Sequence, residues 1–138
     1  MIIDPTGCTP QEISRTRASI LKQWSRPAAI IESPFKSGLN LVDGGAFVAP
    51  IRAGDMLHPA ALALLGAAIE GARGPVFAYS DEDEIDSSCA RRRPYFKSDW
   101  NPDLFLGQDY ACRAVLASAG ALMAAGGFSD APPAVALY

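Results

Sequence analysis

Residues 75–78 read PVFA and residues 79–86 read YSDEDEID, so a short apolar run leads directly into a dense acidic cluster. The cluster places five carboxylates within the six positions 81–86. The apolar run is typical of a buried β-strand, and open α/β sheets bind ligands at the carboxyl ends of their strands. Carboxylates at such a place fit two interpretations, a divalent-metal site or a solvated acidic turn. This stretch alone leaves both open.

The composition is that of a soluble globular protein. The 138 residues are 49% hydrophobic and 20% charged, which suits a single domain over residues 1–138 with its own core. The net charge of −3 does not favour binding to nucleic acid or to an anionic membrane. No apolar run approaches the roughly 20 residues of a membrane span, and the start lacks the features of a signal peptide. We therefore expect a cytoplasmic protein, either free or at the inner membrane surface.

The cysteines give no sign of a metal site or a disulfide framework. Cys8, Cys89 and Cys112 are far apart, odd in number and include no CxxC pair, so structural zinc is not expected. Free thiols in a reducing compartment are the simplest interpretation, because disulfides accumulate in oxidising compartments.

The apolar pattern predicts strands alternating with helices in the first part of the chain. Strands are predicted at residues 2–3, 28–31, 46–49 and 75–78. One helix begins with Thr9, Pro10 and Glu12, which form a capping box, and ends before Pro27; a second helix covers residues 59–71. Loops are expected at residues 33–45, with at most a short helix, and at residues 50–55. This order indicates an α/β sheet with parallel strands.

The later part of the chain has shorter predicted elements. Residues 87–93 are polar and end in three arginines, for which a solvated loop or an anion-binding patch are the two interpretations. Asn101 is placed to cap a short helix over residues 103–106, and residues 110–117 form a predicted strand. Ser118 is placed to cap a last small helix.

Four segments resemble a known family. They read AFVA followed by GDMLHPAAL (46–49 and 54–62), YSDEDEID (79–86), PYFKSDWNPDL (94–104) and GGF (126–128). In order and spacing they resemble a bacterial branch of the family 2 glycosyltransferases, where the corresponding segments include LHPDAL, YSDEDKID, PYFKPDWSPDLL and GGF. That branch is linked to the synthesis of cell-surface polysaccharides, and the similarity covers residues 47–128.

The resemblance implies a fold and a chemistry. The fold is the GT-A type, an α/β three-layer sandwich with a mostly parallel sheet, here expected to be incomplete at both ends. The chemistry is transfer of a sugar from a nucleotide-diphosphate sugar to a glycan or lipid-linked acceptor. A divalent cation, Mn²⁺ or Mg²⁺, usually lies between carboxylates and the pyrophosphate, where it would stabilise the charge on the leaving nucleoside diphosphate.

The resemblance also points to individual residues of the substrate site. Asp81 and Asp83 would line the cleft, and both would face the same way if the chain is extended there. Lys97, Asp99 and Trp100 would shape the acceptor side. For the two aspartates a solvated turn is the alternative, and for the tryptophan it is packing on the sheet, because large aromatic side chains bury area wherever they can.

Asp55 is the candidate metal ligand. The metal motif of the family has the form Asp-x-Asp-Asp, and the matching positions here are Arg52, Ala53, Gly54 and Asp55, so one carboxylate remains. A favourable interaction of Asp55 with the start of the following helix is the alternative. Direct pairing of Arg52 with a phosphate is a further interpretation. We assign no residue as the general base that an inverting transfer requires, and expect the sole histidine, His58, to have a positional role.

A non-catalytic role is the rival class. A degenerate glycosyltransferase-like domain would act as a binding or interaction module, and its open sheet edge could pair with a partner protein or with a second copy. A generic nucleotide-binding α/β domain is a weaker third option, because the sequence contains no glycine-rich phosphate loop.

Overall fold

The computed structural model describes residues 1–72, 74, 77–86, 88, 90–111 and 113–128. Its strands are β1 (Ile2–Asp4), β2 (Ile31–Glu32), β3 (Phe47–Val48), β4 (Pro50–Arg52), β5 (Phe77–Tyr79), β6 (Glu82–Ile85), β7 (Arg91–Tyr95) and β8 (Val115–Ser118). Its helices are α1 (Pro10–Leu21), α2 (Phe35–Leu39), α3 (Ala61–Gly71), α4 (Pro102–Gly107) and α5 (Ala119–Ala124). In the part of the chain so described, no helix has both the length and the apolar character needed to cross a membrane.

Helix α1 begins as predicted. The Glu12 N–H donates to Thr9 Oγ1 at 3.3 Å and the Thr9 N–H donates to Glu12 Oε2 at 2.7 Å, which completes the capping box. The helix ends at Leu21, earlier than expected from Pro27. The reason is the buried Gln23, whose side chain donates to the carbonyl of His58 at 2.7 Å. This contact turns the chain towards α3 before the proline is reached.

The parallel part of the sheet has the strand order β2-β1-β4. Ile2 is paired with Ile31 on one side and with Pro50 on the other. The prediction of a loop at residues 50–55 was therefore wrong for its first three positions. Ile51 is buried in the same apolar cluster as Ile3, and a proline at the first residue of a strand removes no essential hydrogen bond.

The remaining main sheet is antiparallel, with the order β3-β8-β5. It meets the parallel sheet in the run 47–52, where only Ala49 separates β3 from β4. The expected mostly parallel sheet is thus parallel for three strands only, and the fold is mixed α/β. The cause is the path between β5 and β8: Tyr79 at the end of β5 pairs with Val115 at the start of β8. A strand that starts beside the end of its neighbour has to run back antiparallel.

The core has two parts on opposite faces of the parallel sheet. Ile2 packs with Leu39 of α2 and Ala119 of α5, whereas Ile3 packs with Ile20 of α1. Successive side chains of a strand point to opposite faces, so this adjacent pair anchors helices on both sides of the sheet.

Helices α4 and α5 begin at the capping residues that the sequence predicted. The Asn101 side chain accepts from the Leu104 N–H at the start of α4, and the Ser118 side chain accepts from the Ala121 N–H at the start of α5. Gly126 has φ of +98° directly after α5, a conformation that favours glycine. Strand β8 starts later than the predicted residue 110.

Candidate functional site

The acidic cluster forms one strand of a charged hairpin. Strand β6 pairs antiparallel with β7, so its carboxylates face the arginines that were expected in a solvated loop. The arginine side chains are exposed as expected, but they lie on a strand and not in a loop, and each forms an ion pair across the hairpin. The pairs are Arg91 with Asp83, Arg92 with Asp86, and Arg93 with Glu84 at 3.2 Å.

The hairpin turn is closed by Asp86. Its carboxylate accepts hydrogen bonds from the backbone N–H groups of Ser88 and Ala90. The hydroxyl of Ser88 and the guanidinium of Arg92 hold the pKa of Asp86 at about 2. This carboxylate is therefore committed to the turn and is ionised at neutral pH.

The two predicted cleft aspartates have different partners. Asp81 lies just before β6 and accepts a hydrogen bond from the backbone N–H of Lys97 at 2.8 Å. Asp83 lies within β6, is 18% exposed at its side chain and pairs with Arg91. Both aspartates line the main cleft. Asp81 therefore links the hairpin to the segment 96–100, and Asp83 links the two strands of the hairpin to each other.

Lys97 is a buried anchor. Its side chain is 1% exposed, and its Nζ lies 3.1 Å from Glu82 Oε2. The same Nζ donates to the carbonyl oxygen of Arg113 at 2.7 Å. Lys97 thus connects the hairpin to the segment that leads into β8. Neither Lys97 nor Asp99 is among the described residues that line the main cleft.

For Trp100 the predicted alternatives were a place at the substrate site and packing on the sheet, and the structure shows features of both. Its ring packs against Phe77, Phe105 and Tyr110, with centroid distances of 5.2, 5.0 and 6.3 Å. The residue is nevertheless 49% exposed and lines the cleft. It is therefore held by an aromatic cluster while part of its surface stays open to a ligand.

Burial also affects a tyrosine of this cluster. The pKa of Tyr79 is raised to about 12, first by burial and then by its contact with Tyr110 and the charge of Asp99. The hydroxyl of Tyr79 donates to the carbonyl of Ser98 at 2.8 Å. Tyr79 is therefore a neutral hydrogen-bond donor at any physiological pH.

The main cleft has a volume of about 1490 Å³ and lies at the carboxyl ends of three strands. Thr6 follows β1, Asp55 follows β4 and Asp81 follows β5, and all three line it. Hydrophobic side chains from α3 and β8 form much of the remaining wall. Position and lining agree with the ligand sites of open α/β sheets.

Asp55 is surrounded by charges of both signs. Burial raises the pKa of Asp55, the guanidinium groups of Arg113 and Arg52 lower it, and the carboxylate of Glu82 raises it further. Arg113 was not predicted as a site residue. No local signal marks it, because its place beside Asp55 depends on the pairing of distant strands.

The donor set at Asp55 does not fit a metal ion held by protein side chains alone. Within residues 1–72, 74, 77–86, 88, 90–111 and 113–128, no group of three or more His, Cys, Asp or Glu side chains is arranged to hold one. The charged neighbours of Asp55 include two guanidinium groups, which are not ligands. Any ion here would need most of its ligands from a substrate.

Asp109 is a further residue that sequence reasoning missed. Both of its carboxylate oxygens are buried without a hydrogen-bond partner among the described residues. Burial raises the pKa of Asp109, while the Lys97 ammonium and the nearby Ala111 N–H lower it. The Ala111 N–H does not form a hydrogen bond of normal geometry with the carboxylate. Asp109 lines the main cleft. It is a single acidic residue at a predicted strand boundary, so no pattern singles it out.

Comparison with known proteins gives partial matches. The chain is 35% identical over 86 residues to the O-antigen biosynthesis protein RfbC of Myxococcus xanthus. The aligned residues cover 62% of this chain and 7% of that protein. It is 33% identical over 86 residues to the uncharacterised protein y4gI of Sinorhizobium fredii, covering 62% of this chain and 10% of that protein. The aligned part thus spans a tenth or less of each relative. No family model and no solved structure matches the chain.

Proposed function

We propose that the chain is a glycosyltransferase-related domain of polysaccharide synthesis with a GT-A-like fold. Its cleft would bind a nucleotide-diphosphate sugar, and the sugar would pass to a glycan or lipid-linked acceptor. One observation carries the proposal: the carboxyl ends of β1, β4 and β5 open into a single cleft that also holds a half-exposed tryptophan. The partial similarity to a protein named for O-antigen biosynthesis supports the same pathway class.

The proposed roles follow from what each side chain contacts. Trp100 offers an open ring face on which a sugar can stack, and its aromatic neighbours fix the orientation of that face. Asp81 and Asp83 form part of the cleft wall, with backbone or arginine partners that fix their positions. Lys97 supports this wall from behind, and Asp99 remains the proposed acceptor-side residue.

The expected divalent cation stays a prediction. Asp55 offers one carboxylate, and Mg²⁺ often binds through one or two carboxylates together with substrate phosphates. A cation would therefore have to enter with the donor. We place the protein in the cytoplasm or at the inner membrane surface as part of the same proposal, and its net charge of −3 gives no reason to expect nucleic acid.

The test is a panel of nucleotide-diphosphate sugars in a thermal unfolding assay, with Mn²⁺ and with EDTA. A ligand at 100 times its dissociation constant stabilises the folded state by about 2.7 kcal/mol, which raises the melting temperature measurably. We expect a shift for at least one donor and a smaller shift in the Asp55→Ala variant. No shift with any donor would remove the proposal.

A non-catalytic binding module is the second candidate, and the hairpin favours it. Three of its carboxylates are committed to ion pairs with arginines, and no general base is assigned. Among the described residues, β2 and β5 are edge strands of their sheets. Either edge could therefore pair with a partner protein or with a second copy. This candidate predicts no thermal shift with any donor of the panel and no release of nucleoside diphosphate when glycan acceptors are added.

A further inference from the structure

We infer that Thr16 of α1 is a positioning residue, whose hydroxyl fixes the backbone at Gly54 and Asp55 and so holds Asp55 in the wall of the main cleft. That this wall faces a nucleotide-diphosphate sugar rests on the proposed function. The placement of the backbone rests only on hydrogen bonds within the chain.

The cleft segment, residues 54–58, needs support from outside itself. All five of its residues line the main cleft, and they belong to neither a helix nor a strand. Backbone N–H and C=O groups without a place in a helix or a sheet require other partners wherever water is excluded. The conformation of this segment therefore depends on what its backbone groups bind.

Thr16 binds two of these groups at once. Its hydroxyl donates to the carbonyl oxygen of Asp55 at 2.7 Å and accepts from the Gly54 N–H at 2.9 Å. Thr16 is fully buried, so water does not compete for these two bonds. The backbone that they fix includes Gly54 at φ of +99°, a conformation that favours glycine. The two bonds thus set the direction in which the Asp55 side chain leaves the main chain.

Two further buried side chains hold the rest of the cleft segment. Ser19, one turn after Thr16 on the same face of α1, accepts from the Leu57 N–H at 3.2 Å. The Gln23 side chain donates to the carbonyl oxygen of His58 at 2.7 Å. Burying a hydroxyl or an amide costs free energy unless it is hydrogen-bonded, so the polar character of these positions is explained by the segment that they bind.

This support matters for a ligand as well as for the fold. A cleft wall that is already ordered spares the ligand the entropy cost of ordering it on binding. Without the Thr16 hydroxyl, the backbone at Gly54 and Asp55 would have more freedom, and a ligand would have to restrict it. Thr16 therefore acts on binding through Asp55, although it does not itself line the cleft.

The experiment compares Thr16→Val, which keeps the shape of the side chain without the hydroxyl, with Thr16→Ser, which keeps the hydroxyl. Thr9→Ala is the matched control, because it removes the N-cap of the same helix at a residue outside the cleft. Hydrogen exchange of the Gly54 amide reports on the cleft segment. Calorimetry reports the affinity for the nucleotide sugar that gives the largest thermal shift.

We expect Thr16→Val to speed exchange at Gly54 and to weaken donor binding, each by about tenfold, because a backbone hydrogen bond is lost. Thr16→Ser and Thr9→Ala should leave both quantities close to those of the unchanged protein. Thr16→Val and Thr9→Ala should both lower the melting temperature. A purely stabilising role of Thr16 would therefore give these two variants the same donor affinity.

Ser19→Ala is a second variant, which tests the same claim if Thr16→Val does not fold. It leaves the Leu57 N–H without its acceptor, so exchange at Leu57 should speed up and donor binding should weaken.

The outcomes separate this inference from the proposed function. Donor binding with equal affinity in all variants supports the proposed function and overturns the positioning role. A loss of affinity that Thr16→Ser shares also overturns it, since the hydroxyl is then not the cause. Faster exchange at Gly54 in Thr16→Val alone, with no donor bound even by the unchanged protein, supports the role of Thr16 and contradicts the proposed function.

Discussion

The Nζ of Lys97 lies 3.1 Å from Oε2 of Glu82, in a position where the lysine side chain is 1% exposed. This pair joins the acidic hairpin to the body of the protein, because the same Nζ also donates to the carbonyl of Arg113. The most acidic strand of the chain is therefore held by a buried cation.

Replacing that cation should destabilise the fold. Glu82 Oε2 is buried and accepts no hydrogen bond among the described residues, so the Lys97 ammonium at 3.1 Å is its counter-charge. Lys97→Met keeps the aliphatic stem but removes this counter-charge from a buried carboxylate, which costs about 1–3 kcal/mol. Urea denaturation measures this loss. Lys22→Met, at an exposed position after α1, is the control and should stay within about 0.5 kcal/mol of the unchanged protein. Equal stability of the two variants would show that the buried pair contributes nothing.

The exposed ion pairs of the hairpin should contribute much less. A double-mutant cycle with Asp83→Asn and Arg91→Gln should give a coupling of about 0.2–1 kcal/mol, because the arginine side chain is 68% exposed. Raising the salt concentration to 1 M should reduce that coupling, since the screening length falls to about 3 Å. A coupling that is large and independent of salt would contradict this description of the hairpin.

The stability of the protein should depend on pH through Asp109. Its folded-state pKa is raised by burial, so the folded state keeps a proton that the unfolded chain releases at lower pH. Stability is therefore lost as the pH rises from the unfolded to the folded pKa of this group. Lys97 opposes the shift and Glu82 increases it.

Asp109→Asn should remove this contribution and make the protein more stable than the unchanged chain at neutral pH. Urea titrations between pH 4 and pH 8 would show the two stability curves separating as the pH rises. Glu70→Gln, an exposed position of α3, should leave the curve unchanged. A constant offset between the Asp109→Asn and unchanged proteins across this range would contradict the assignment.

Trp100 should affect the sugar-bearing ligand selectively. Trp100→Ala should weaken binding of the nucleotide sugar by about 1–3 kcal/mol, and leave binding of the nucleoside diphosphate nearly unchanged, because only the sugar would stack on the ring. Calorimetry with both ligands gives this comparison. Trp24→Ala removes the other tryptophan, which is 75% exposed and outside the cleft, and should change neither affinity. Equal losses for both ligands would indicate a structural role for Trp100.

Elements with local signals were predicted correctly. Thr9, Asn101 and Ser118 each cap the helix that their neighbours predicted, since a capping interaction needs only residues within three positions. Strand β4 was missed because Pro50 reads as a break, and its pairing with β1 spans almost fifty residues. Long-range pairing of this kind leaves no mark in a short window of sequence.

The hairpin could have been predicted from the sequence. Acidic residues at 81–86 are followed by arginines at 91–93, at the spacing and with the opposite charge that adjacent strands favour. Asp109 and Arg113 could not have been found in this way. Asp109 is notable for its burial and Arg113 for its charge near Asp55, and neither property is visible in the sequence around a single charged residue.

The most direct test of the central claim is calorimetric titration of the protein with the nucleotide-diphosphate sugar that gives the largest thermal shift. We expect one site per chain, with an affinity that falls in the Trp100→Ala variant and stays the same in Trp24→Ala. Absence of binding by every donor of the panel would contradict the claim that this cleft is a nucleotide-sugar site.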